Sequence, residues 1–299
     1  MKAALAPPSI RLNTSIRHYA LRELKLSSSH PINKVVLINS KPPDFDFNKK
    51  SKFFKKNRPT QISRIWNLIQ SLVDLKLLKP IQHYKYAPWN RATHYKVEIA
   101  EPIQDYFLGL DQNQVIIYTD ASATTGTDTT GIGIGLAVLY NNTRLRYQSK
   151  DNLGLSQLVY NGELEEITQA VEYASQIALA GQNYKIYSDN QAALLRLETT
   201  SDNPGQACQI RTSVATNIAI NKGASVTLAW VPGHTGVLGN ELADSLAKEA
   251  TKLAPSSHII SYAYLGSQIR NLATQEWQKV LDKYDTLSSR NQAYKKLFL

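Results

Sequence analysis

The spacing of hydrophobic residues changes several times along this chain of 299 residues, and each change predicts an element. Leu12, Ile16, Tyr19 and Leu24 recur near the helical repeat behind Pro7 and Pro8, which predicts a helix over about 8–26. Residues 27–58 lose that repeat and read as loop, with Ser27-Ser28-Ser29, Pro42-Pro43 and a basic run from Lys49 to Arg58. Ile62, Ile65, Trp66, Ile69, Val73 and Leu77, three and four apart, predict a second helix over about 60–78, whose stripe needs something to pack on. Tyr95-Lys96-Val97-Glu98-Ile99 then alternates like an edge strand.

From residue 114 the pattern becomes regular. It predicts strands over 114–120, 131–140 and 144–150, with a polar turn at 122–130 and a tighter one at Asn141-Asn142. A helix over 159–180 follows, with Leu164, Ile167, Val171, Ala174 and Ala178 on one stripe. Glu163 lies at the edge of that stripe, where its side chain can reach the sheet. Next come a strand at 184–189, helices at 190–198 and 204–221, a strand at 225–231 stopped by Pro232, and a helix at 240–252. This order predicts an α/β domain built on a five-stranded mixed sheet flanked by helices. The tail is helical over about 265–284, through Leu265, Ile269, Leu272, Trp277 and Leu281, and carries no chemical motif. The expected organisation is a helix and basic linker (1–58), a helix and tether (59–111), the α/β domain (112–252) and a helical C-terminal extension (253–299).

Composition adds limits. At 42% apolar and 19% charged, the chain can bury a core and is not globally disordered. Its longest apolar-rich stretch, residues 131–140, is about half of the ~20 residues a membrane span needs. The opening residues are interrupted by prolines where a signal peptide needs an apolar run. A lone cysteine, Cys208, excludes internal disulfides and a Cys-based zinc site. These features lead us to expect an intracellular protein, nuclear or cytoplasmic, that is neither secreted nor membrane-bound.

The net charge of +10 is unevenly spread. Residues 1–113 hold 19 Lys and Arg against 8 Asp and Glu, residues 114–252 hold 9 against 13, and residues 253–299 hold 6 against 3. The regular domain is thus acidic, and a polyanion would be drawn to the stretch before it. The run from Lys49 to Arg58 reads equally as a phosphate-binding or nuclear signal and as a solvated linker.

Four acids mark defined points of that acidic domain. Asp120 ends the first strand, Glu163 opens the long helix, Asp189 ends the fourth strand, and Asp244 lies early in the last helix. Singly, each reads as a turn or cap residue; Asp189 suits the N-terminus of the next helix, and Asp244 suits its own. Together, acids at strand ends and on covering helices can meet at one spot. Such a spot repels itself unless divalent cations neutralise it, which points to phosphoryl-transfer chemistry.

Tyr118-Thr119-Asp120-Ala121-Ser122, Glu163-Leu164, Tyr187-Ser188-Asp189-Asn190 and Trp230-Val231-Pro232-Gly233-His234-Thr235-Gly236 with Asn240-Glu241-Leu242-Ala243-Asp244 resemble ribonuclease H type 1 over about 112–252. The resemblance implies a ribonuclease H-like fold and cleavage of the RNA strand of RNA–DNA hybrids, leaving 5′ phosphate on RNA. It implies that Asp120 bridges two Mg²⁺ ions, with Mn²⁺ as a possible substitute. Glu163 and Asp189 would complete the shell of one ion and Asp244 that of the other. His234, in a glycine-flanked loop, would help position water or release product. Ser122 and Asn190 would contact the hybrid, Asn190 at the RNA 2′-OH. Trp230 reads as core.

The sequence departs from the family pattern around the helix acid. Gly162 precedes Glu163, weakening the helix start by ~0.5–1 kcal/mol relative to Ala, and Glu165-Glu166 replace small apolar residues. Between the predicted helix 190–198 and the strand 225–231 only one helix, 204–221, is read, and the basic protrusion of some stand-alone members is missing. The first hundred residues, with Pro7-Pro8-Ser9-Ile10-Arg11-Leu12 and Pro88-Trp89, resemble the region after the reverse transcriptase in fungal non-LTR retrotransposon polyproteins. No Tyr-x-Asp-Asp motif is present, so a reverse transcriptase partner would be encoded elsewhere. Integrase-type nucleases lack a glutamate on the intervening helix, and proofreading exonucleases need an acid where Ser122 stands. The alternative of another class is an inactive nucleic-acid-binding remnant.

Overall fold

The computed structural model describes residues 6–23, 25–26, 30–31, 77–79, 81–82, 95–99, 114–123, 131–140 and 144–285. In chain order they form α1 (Pro8–Glu23), β1 (Lys96–Glu98), β2 (Gln114–Ser122), β3 (Gly133–Tyr140), β4 (Arg144–Asn152), α2 (Val159–Ile177), β5 (Asn183–Ser188), α3 (Gln191–Glu198), α4 (Gln206–Asn221), β6 (Ser225–Trp230), α5 (Leu238–Ala250) and α6 (Tyr262–Asp285). Contacts divide the chain into two units, residues 79–261 and residues 1–78 with 262–299. The expected helix at 60–78, the basic run 49–58, Pro88-Trp89 and the Asn141-Asn142 turn lie outside the described residues, wholly or nearly so.

The first unit is a mixed sheet in the order β1-β6-β5-β2-β3-β4. The strands β2, β3 and β4 form the antiparallel meander, while β5, β6 and β1 run parallel to β2. The sheet has six strands, one more than expected. The extra strand is β1, the alternating stretch at 96–98, which pairs with β6 beyond the boundary set at residue 112. Its alternation was readable in the sequence. Its partner lies far along the chain, and no local pattern carries that.

Alternation along β2 gives the sheet two faces. Val115 and Ile117 join Leu136, Val138 and Ile186 in one buried cluster, which α2, α3 and α4 cover with Leu164, Ile167, Val171, Leu194 and Ala215. The whole stripe expected on α2 is buried. Each fully buried Leu or Ile contributes about 1.5–3 kcal/mol, so this face is the main source of stability. The opposite face, with Ile116, Tyr118, Leu139 and Tyr187, packs on Ala243 of α5.

The fit of α5 is very close. A Cβ added to Gly135 would stand 2.3 Å from the Ala243 carbonyl oxygen, so only glycine lets the helix lie on β3 there. Gly135 is the antiparallel partner of Asp120, and this contact brings α5 over the first acid. Buried Asn152 fastens the far end of α5, donating to the carbonyls of Ala250 at 3.1 Å and Leu253 at 2.8 Å.

In the second unit α1 packs on α6. Arg17 makes a two-pronged ion pair with Glu276, and Ile10, Ala20 and Leu21 are the buried apolar residues of α1. The stripe read from the sequence is displaced: Leu12 is 60% and Tyr19 40% exposed. A four-residue repeat with one misfit fixes the face of a helix only loosely.

Candidate active site

The sheet register explains how the strand acids meet. The parallel strands β2 and β5 align Thr119 with Ser188, so the next residues, Asp120 still within β2 and Asp189 just past the end of β5, come side by side. Asp120 is 7% exposed, and its Oδ1 accepts the Ala121 N–H at 2.8 Å. The capping role left open for Asp189 belongs to Asn190, whose Oδ1 accepts the Ala193 N–H at 3.0 Å. The Asp189 carboxylate is therefore left for the site. Trp230 is half-buried and does more than fill the core: its indole N–H donates to the Asp189 carbonyl at 3.0 Å.

Two helices bring the other acids. The start of α2 has no side-chain cap at Leu158, and Gly162 weakens it further. The glycine is nevertheless required. A Cβ there would lie 2.7 Å from Cγ2 of Ile132 and 3.0 Å from Cβ of Ala121, so glycine is what lets α2 descend onto the sheet beside Asp120. Glu163 is 6% exposed, has the Asn190 side chain beside it, and leaves its Oε2 without a partner. On α5, Asp244 lies close enough to Asp120 to push its carboxyl up, and accepts from Lys248, one turn on, at 2.6 Å.

Asp120, Glu163 and Asp189 each place one carboxylate oxygen within 4.8 Å of the others. His234, Glu241 and Asp244 form a second such group, joined to the first through the Asp120–Asp244 contact. His234 takes a left-handed backbone (φ 56°), unusual for a residue with a Cβ, at an exposed turn. Ser122 ends β2 half-buried, and Asn190 stands over Glu163.

The electrostatics are those of an acid cluster in need of cations. Burial, then the charges of Asp189 and Asp244, push the Asp120 carboxyl up to about 8. Burial, then Asp120 and Asp189, push Glu163 up to about 8. Asp189 is raised too, chiefly by burial, against a hydrogen bond from Asn240 and the nearby His234. The donors are all carboxylate oxygens, which suit a hard divalent cation, and the unpartnered Oε2 of Glu163 is a free ligand atom facing that role.

Several neighbours escaped the sequence reading. Glu241 shares a face of α5 with Asp244, three residues on, a spacing that points to it once the helix is accepted. Asn240, 1% exposed, holds Asp189. Glu166, also 1% exposed, lies behind Glu163 and Asp120; the Thr119 hydroxyl beside it donates to the Tyr187 carbonyl at 3.1 Å, and both Glu166 oxygens lack a hydrogen bond. Burial, then Glu163 and Asp120, hold its carboxyl well above the ordinary range. Glu165, its neighbour in sequence, is driven down to about 2 by Lys79 and Arg211 in spite of its burial. Nothing in the sequence separates these two fates.

The family model described as RNase H matches residues 112–252. Among curated proteins, none matches the chain. Similar solved structures include RNase H1 from the halophilic archaeon Halobacterium salinarum NRC-1, at 19% identity over 46% of this chain and 96% of that one, with a TM-score of 0.36. LC11-RNase H1 in complex with RNA/DNA hybrid matches at 18% identity over 46% and 96%, TM-score 0.37. The foamy viral protease-reverse transcriptase in complex with dsDNA matches at 16% identity over 46% and 93%, TM-score 0.39. The acid cluster of β2, α2, β5 and α5 lies inside the stretch that the RNase H family model matches, residues 112–252.

Proposed function

We propose that this chain is a divalent-metal-dependent ribonuclease H of type 1 that cuts the RNA strand of RNA–DNA hybrids internally. The observation that carries the reading is the meeting of Asp120, Glu163 and Asp189 within 4.8 Å, with the Asp244 carboxylate near enough to raise Asp120. Asp120, Glu163, Asp189 and Asp244 would hold two Mg²⁺ ions, or Mn²⁺ in their place. Bound there, such ions supply an activated water and neutralise the charge that builds on the phosphate.

The chain's own residues do the rest. Asp120, whose carboxyl feels both Asp189 and Asp244, would be the ligand common to both ions. Trp230 and Asn240 hold Asp189 at its carbonyl and its carboxylate. His234, exposed beside Asp189 and Asp244, would help position the water or release the product. Ser122 and the Asn190 side chain contact the hybrid. Asn190 spends its Oδ1 on its own helix, so its amide N–H₂ group is the one left to act, on Glu163 and on an RNA 2′-OH.

The domain is net acidic, with 9 Lys and Arg against 13 Asp and Glu over 114–252, so phosphate-neutralising charge would come from residues 1–113. A retrotransposon origin, with a reverse transcriptase region as partner, fits that division of charge. The reading is tested with Asp189→Asn. Cleavage of labelled RNA in a hybrid should fall roughly a thousandfold at constant Mg²⁺. Equal rates for the variant and the wild type, both folded by circular dichroism, would overturn it.

A further inference from the structure

The start of α2 carries Glu163, yet its own sequence does little to fix it. Leu158 supplies no cap, no acid lies in the first turn, and Gly162 is imposed by the contact with the sheet. Support comes instead from outside the helix, through Glu165. This side chain, 8% exposed, is gripped by Arg211 of α4 and by Lys79, whose Nζ lies 3.1 Å from Oε2. Cys208 also donates to that oxygen, at 3.5 Å. Arg211 reaches further along the helix to Glu172 with two more hydrogen bonds, at 2.8 and 2.7 Å.

Lys79 is itself held in place. Its backbone N–H donates to the Ile260 carbonyl at 3.0 Å. Three residues on, the fully buried side chain of Gln206 takes both polar groups of the Gln82 peptide, accepting its N–H at 2.6 Å and donating to its carbonyl at 2.7 Å. The Lys79 side chain is 15% exposed and pairs with Glu165. Lys79 and Ile260 both lie outside residues 112–252.

We propose that Lys79 is a positioning residue for Glu163: a cation delivered from outside the RNase H domain that locks the first turns of α2 and so sets one acid of the metal site. Nuclease activity then depends on chain that precedes the domain, and a change that withdraws Lys79 and Gln82 weakens the site without touching it. The inference rests on the metal-dependent nuclease reading for its consequence, but not for its geometry.

The test uses the full chain with Lys79→Met, which keeps most of the unbranched side chain and removes its charge. Hydrogen exchange should speed up at the amides of residues 159–165 while those of β2 and α5 stay protected. Calorimetric titration with Mg²⁺ should show affinity lower by about tenfold, as for loss of a residue that orients a ligand. In hybrid cleavage kcat should fall roughly tenfold or more with KM little changed, since misplacement of a catalytic group acts on the transition state. Lys79→Arg should restore all three, and Lys79→Met should add little in a Glu165→Gln background if it acts through Glu165. Unchanged exchange at 159–165, or an undiminished effect in the Glu165→Gln background, would overturn the proposal. A wild type that binds no Mg²⁺ would sink the nuclease reading instead, with the exchange result still deciding the role of Lys79.

Discussion

Two helices, α2 and α5, each lay an acid on the same end of the sheet, and they are secured in opposite ways. The support of α5 is largely its own. Lys248, one turn on, pairs with Asp244, and glycine-lined β3 lets the helix sit directly over Asp120. The start of α2 is uncapped and glycine-weakened, holds three glutamates in four positions, and is secured by Arg211 and Lys79 from elsewhere. A short motif can specify the first arrangement. The second exists only when the whole unit is folded.

The sharpest test of this contrast uses pH. Asp120 and Glu163 titrate near pH 4 in an unfolded chain and at about 8 in the folded one. Without cations the folded state therefore binds more protons in that window, and stability should fall as pH rises from about 5 to about 8. Saturating Mg²⁺ should abolish most of that fall in thermal melts. A flat metal-free profile would mean that the acids are not packed as described.

Ion pairs give a smaller, paired comparison. Arg211→Met should cost about 2 kcal/mol in urea unfolding. That is less than the ~3–5 kcal/mol of a fully buried pair, because the guanidinium is 40% exposed. Lys248→Met, at 53% exposure, should cost under about 0.5 kcal/mol. Equal losses would erase the difference between the two helices. The orphan acid acts in the opposite direction: Glu166→Met should stabilise the metal-free protein by about 1 kcal/mol, since a buried carboxyl with no partner is replaced by an apolar chain of similar size. A loss of stability there would reveal a partner for Glu166.

The same contrast governs what the sequence disclosed. Asp120, Glu163, Asp189 and Asp244 were legible because strand ends and helix starts are local features, and the order of the elements did the rest. Membership of β1 in the sheet was not, because its partner β6 lies about 130 residues on, although its alternation was plain. Gly162 read as a weakness; its value is a contact with Ile132 and Ala121 that only the packed sheet supplies. Glu165 and Glu166 are adjacent and identical in type, yet one is clasped by two cations and the other is buried unpaired. Which face of α2 each one takes follows from the helix; what waits on that face comes from Lys79 and Arg211, some 86 and 46 residues away.

The most direct measurement follows labelled RNA, paired with DNA, through removal and return of divalent cation with the full chain. The account predicts that the RNA strand alone is cut, that a chelator stops cleavage, and that added Mg²⁺ restarts it. Cleavage that persists in chelator, or a folded chain that leaves the hybrid intact at every Mg²⁺ concentration, would contradict it.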